Sequence, residues 1–98
     1  MTTTADLATE SRRLYLLRTL KVSAGYRAGT ELLKLALQNM GMTASTAQIK
    51  ADVAWLESLG LVSTQSLPGM TIVMLRNEGV DVADGVSIVP GIARPQPE

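Results

Sequence analysis

Residues 45–79 read STAQIKADVAWLESLGLVSTQSLPGMTIVMLRNEG, and the order of signals in this stretch decides the fold. Ser45-Thr46-Ala47-Gln48 fits the S-x-x-Q capping box, in which the serine hydroxyl accepts from the glutamine amide and the glutamine reaches back to the serine amide. A helix from there to about Leu59 puts Ile49, Val53 and Leu56, spaced four and three apart, on one inward stripe. Trp55 lies off that stripe, placed to pack on the hairpin or on the first helix. Gly60 can take the left-handed conformation that ends a helix, with Leu61 folding back behind it. Residues 61–66 and 70–75 then read as two strands joined by Pro68-Gly69, residues suited to the centre of a type II turn. Arg76 to Asp84 predicts a short helix stopped by Gly85, and Gly79 inside it points to close packing or to a single turn.

Working outward, residues 31–40 (ELLKLALQNM) predict a preceding helix capped by Thr30 and ended by Gly41. Leu33, Leu37 and Met40 share its inward face, and Lys34 faces out. A first helix is expected over residues 6–22, capped by Asp6, with Leu7, Leu14, Leu17 and Leu20 near one stripe. Arg18 and Lys21 sit at its C-terminal end, where the helix dipole favours cations. Residues 23–29 (SAGYRAG) read as a connector, residues 1–5 as a frayed polar leader and residues 86–98 as an extended tail with three prolines. Its apolar residues Ile88, Val89 and Ile92 predict that the tail docks on something. Three helices, a hairpin and a short helix, in one domain over residues 6–85, form an α+β, mainly helical winged helix-turn-helix.

Composition removes several function classes. The chain has no Cys and no His, so thiolate chemistry and the usual neutral-pH base are missing, and a metal site would have only carboxylates. No cofactor is expected. Asp52 and Glu57 do not share a helix face well, Asp81 and Asp84 lack a basic partner nearby, and no glycine-rich phosphate loop is present, so an enzyme is not expected. No apolar run approaches the roughly 20 residues that span a membrane. The polar N-terminus has no signal-peptide core, so the cytoplasm is the expected compartment.

Net charge is zero but unevenly placed. Residues 1–50 hold seven basic and three acidic groups, and residues 51–98 hold two basic and six acidic ones. This asymmetry fits a basic face for an anionic partner, and equally an attraction of the two halves within the fold or across a dimer.

For duplex DNA, the second helix of the motif would offer Thr46, Gln48 and Lys50 to base edges. Arg12, Arg13, Arg27 and Lys34 would supply backbone contacts. Against this, Asp52 and Glu57 would repel phosphate if they faced it, Gln48 can be consumed by its cap, and the wing tip has no cation. A protein partner is the alternative, through Leu67, Pro68 and Met70 on the wing and Ile88 and Ile92 in the tail. A homodimer through the first helix and the tail is a further expectation.

Residues 52–62 (DVAWLESLGLV) resemble the "helix, then LExxGLV, then wing" passage of MarR-, PadR- and ArsR-like winged-helix proteins. Residues 75–85 (LRNEGVDVADG) resemble the post-wing LTxxGxxVAxG element of that group, with Arg76 in place of the threonine cap, which leaves Asn77 to cap. DVAWL, followed by Val89-Pro90-Gly91 and Arg94-Pro95, is similar to a group of small proteins of Mu-like transposable phages and prophages, over about residues 7–95. That resemblance implies a phage protein made near the packaging genes and a regulatory or packaging role on DNA. It carries over no site residues.

Overall fold

The computed structural model describes residues 3–96. Helix α1 (Thr4–Val22) starts earlier than the sequence reading puts it. The Thr3 hydroxyl accepts from the Asp6 amide at 3.1 Å, and the Asp6 carboxylate accepts from the Thr3 amide at 3.2 Å. Asp6 is therefore the third residue of a capping box and Thr3 is the cap. Residues 3–5 of the expected leader belong to the helix start, and residues 1 and 2 lie outside the described residues. Leu14, Leu16, Leu17 and Leu20 are buried, whereas Leu7, counted on the same stripe, is exposed.

The connector at residues 23–29 contains a strand. After a 3-10 turn at Ala24–Tyr26, β1 (Arg27–Gly29) pairs antiparallel with β3 (Met70–Leu75), placing Ala28 opposite Val73. Three residues are too few to show a period, so the strand leaves no pattern in the sequence. The other edge of β3 pairs with β2 (Val62–Leu67), giving the sheet order β1-β3-β2. Helix α2 (Thr30–Asn39) follows β1 directly, so Gly29 holds the cap position and Thr30, expected as the cap, is a buried first helical residue. Leu33 and Leu37 are buried, but Met40 is exposed at the helix end.

Helix α3 (Thr46–Ser58) forms the capping box at Ser45 and Gln48. At its other end the Leu61 amide donates to the Leu56 carbonyl at 3.1 Å and the Gly60 amide to Glu57 at 3.0 Å. Gly60 takes φ +75°, which completes a Schellman stop and buries Leu61. In the hairpin, Leu67 lies opposite Met70 across Pro68-Gly69.

Helix α4 (Asn77–Ala83) closes the sheet end. Arg76 occupies its cap position without a side-chain bond, so Asn77 does not cap. The Arg76 amide instead donates to the Leu61 carbonyl at 3.0 Å. A Cβ on Gly79 would collide with that carbonyl and with the Leu75 side chain, which accounts for glycine inside a helix.

The core lies between α1, α2 and α3 and the inner sheet face, where Leu17, Leu33, Ile49, Leu56 and Val73 are fully buried. The tail docks on the same unit. The Ala93 amide donates to the Glu10 carbonyl at 3.1 Å, and Ile92, expected as a contact for a partner, is in the core at 6% exposure. Among the described residues no helix is long and apolar enough to cross a membrane.

Candidate nucleic-acid interface

The capping box and the Schellman stop hold α3 at both ends, and its two faces carry different chemistry. The inner face centres on Asp52, whose residue exposure is 3%. One carboxylate oxygen accepts from Arg12 Nε and the other from Arg13 Nε, the latter at 3.2 Å. Arg13 does more. Its guanidinium carbon lies 3.9 Å from the centroid of the Trp55 ring, and its Nη1 donates to the Gly91 carbonyl at 3.1 Å. Gly91 packs so closely on Trp55 that a Cβ there would stand 3.0 Å from the indole. Two cations, one buried carboxylate and one aromatic face thus join α1, α3 and the tail. Burying a carboxylate is costly unless it is paired and hydrogen-bonded, and these partners offset that cost.

This placement bears on two points of the sequence reading. Arg12 and Arg13 are largely enclosed side chains turned toward Asp52, so the structure does not bring them to the outer face of α3 as backbone contacts. Asp52 is equally withdrawn and opposes no approaching phosphate.

The outer face carries Ala47, Gln48, Lys50, Ala51 and Ala54, all exposed. Three alanines leave it low and open to close approach. Gln48 Oε1 accepts from the Ser45 amide at 2.9 Å, which leaves the two N–H groups of Nε2 for another acceptor. Lys50, two residues further on, points to the other flank of this face, and Lys34 of α2 donates to the Thr46 hydroxyl at 3.1 Å, so that cation borders the start of α3. Lys34 is half-buried rather than facing out freely, and Thr46 is half-buried with it. Glu57 turns to the wing, where its Oε2 accepts from the Thr64 amide at 2.9 Å and the Thr64 hydroxyl at 2.8 Å. Arg27 stands apart on the sheet, in register with Met74.

Between the starts of α2 and α3 and the wing lies a groove of about 640 Å³, lined in part by Glu31, Leu32, Thr46, Lys50, Leu67 and Met70. Met70 folds back so that its Cε stands 3.4 Å from where a Gly29 Cβ would be. Glu31 and Leu32 are lining residues that sequence reasoning did not offer as candidates.

The chain is 35% identical over 92 residues to a protein of Escherichia phage Mu described as uncharacterized protein gp26. The match covers 94% of this chain and 95% of gp26. This chain belongs to the gp26 family. No family model matches it. Among solved structures the gp26-family fold is similar to Sco5413, a MarR family transcriptional regulator from Streptomyces coelicolor, with a TM-score of 0.63 and 21% identity. It is similar to the same degree, TM-score 0.63 and 19% identity, to hsRosR-S4. Both matches cover 74% of this chain, but only 47% of Sco5413 and 62% of hsRosR-S4. At these identities the likeness establishes the winged-helix fold of the gp26-family chain and nothing about its ligands.

Proposed function

We propose that this gp26-family chain is a phage or prophage protein that binds double-stranded DNA through the outer face of α3, in the bacterial cytoplasm and without enzymatic activity. The observation that carries the reading is the exposed face of α3 formed by Ala47, Lys50, Ala51 and Ala54, with Asp52 turned into the core and Glu57 bonded to Thr64 of the wing. In a helix-turn-helix this face enters the major groove, where the free Gln48 amide hydrogens suit a base-edge acceptor and Lys50 suits guanine or phosphate. Lys34 and Thr46 would then border the nearest backbone. The fold shared with Sco5413 supports the reading, as does the phage relative. Control of transcription and a step tied to DNA packaging are the two roles that such binding would serve.

The test is fluorescence anisotropy of labelled duplex fragments from the phage genome at low salt. Binding that Lys50→Ala weakens severalfold is expected. No binding at low salt contradicts the reading.

A second reading rests on the wing. Its tip residues Leu67, Pro68 and Met70 carry no cation, and Leu67 and Met70 line the groove beside Leu32, which fits a protein contact. Met70→Asp should abolish capture of a defined phage protein if that reading holds, and leave duplex binding intact.

A further inference from the structure

The outer face of the sheet is absorbed by neither reading. Side chains alternate along β3, so Val73 and Leu75 enter the core while Met70, Ile72 and Met74 line the opposite side. The register places Ile72 between Gln65 and Gly29, and Met74 between Ser63 and Arg27. Arg27, Ser63, Gln65, Ile72 and Met74 border a shallow depression of about 160 Å³. None of the three strands carries an Asp or Glu. Arg27 is exposed and pairs with no carboxylate among the described residues. This is an apolar strip with a polar rim, one free cation and one methionine that can adapt to what it meets.

A surface of the opposite kind follows α4. Val86 and Ile88 are 75% and 60% exposed. The amides of Val86 and Ser87 donate to the Asp81 carbonyl at 2.8 and 3.1 Å, which fixes these residues beside the end of α4. On α4 the exposed Glu78 and Asp81 pair with no cation among the described residues. Here apolar side chains stand with free carboxylates, and on the sheet they stand with a free guanidinium. A DNA duplex would be repelled by the acidic surface. A second copy of the chain satisfies both surfaces at once, setting the free guanidinium of one against the free carboxylates of the other.

We propose that the outer sheet face of one copy receives the α4–tail surface of another, with Met74 and Ile72 against Val86 and Ile88, and Arg27 near Glu78 and Asp81. The contact joins two different patches rather than one patch to itself, so a two-copy complex retains one free donor and one free acceptor surface unless a ring closes. Each patch is small, so the association is weak, of the transient class.

The test is sedimentation equilibrium of the full chain over a wide concentration range at low and high salt. Mass should rise with concentration at low salt and fall toward one chain at high salt. Met74→Glu and Asp81→Lys should each remain single chains when alone. Mixed, they should form a two-chain complex, because each keeps the patch that the other has lost. Arg27→Glu should match Met74→Glu, which guards against a fold defect at Met74, and circular dichroism should show all three variants folded. A single-chain mass at every concentration, variants that associate like the parent chain, or a mixture that stays single would each overturn the proposal.

Discussion

On its inner side α3 meets α1 and the tail through one buried carboxylate, two arginines and a tryptophan. On its outer side it meets solvent with alanines, a glutamine amide and a lysine. The difference teaches where the chain's charge works. The densest pair of cations in the first half, Arg12 and Arg13, holds the helix in place. The sparse outer cations Lys34 and Lys50 border the start and the outer face of α3. A count of basic residues along the sequence would rank these two sets in the opposite order.

Three substitutions can break or sharpen that contrast, and they differ in size. Asp52→Asn leaves two partly enclosed guanidinium groups without their counter-charge, a loss of about 3–5 kcal/mol in unfolding free energy by urea titration. For a domain whose whole stability is on the order of 5–15 kcal/mol, this is the largest effect expected. An unchanged urea midpoint would show that the inner cluster is not what holds α3. Glu57→Ala comes next. It removes the acceptor of two bonds from Thr64, and because the site is exposed the expected loss is about 1 kcal/mol. The same change deletes a negative charge between α3 and the wing, so duplex affinity should rise at low salt while stability falls. Lys50→Ala should be smallest in stability, within about 0.5 kcal/mol, since Lys50 is an exposed side chain away from the core. Its effect belongs to binding, and a large loss of stability would move Lys50 from the outer set to the inner one.

Much of the fold was legible because its signals are local. The Ser45–Gln48 box, the Gly60 stop and the Pro68-Gly69 tip each lie within four or five residues, and each appears as the sequence reading has it. The helix start at Thr3 was written in the same way, as a threonine followed three residues later by Asp6, but aspartate is itself a good cap and hid the box. β1 could not be read, because a three-residue strand exists only through its pairing with β3, more than 40 residues later. The site was legible in part for the same reason. Gln48 and Lys50 follow from the helix register alone, whereas the pairing of Arg12 and Arg13 with Asp52 spans about 40 residues and no spacing rule links them. Ile92 shows the same limit: a proline-containing tail gives no sign of which of its apolar residues will enter the core.

The central claim is that only the outer cations of α3 and its neighbour α2 face the duplex. The measurement that tests it most directly is the slope of log binding constant against log salt for a duplex fragment of the phage genome. Each neutralised phosphate contributes about −0.9, so Lys34 and Lys50 acting together predict a slope of about −2, reduced in steepness by about one in Lys50→Ala. A slope of about −4.5 or steeper would require three further cations on the phosphates besides Lys34 and Lys50 and would contradict the claim that only the outer cations of α3 and α2 face the duplex.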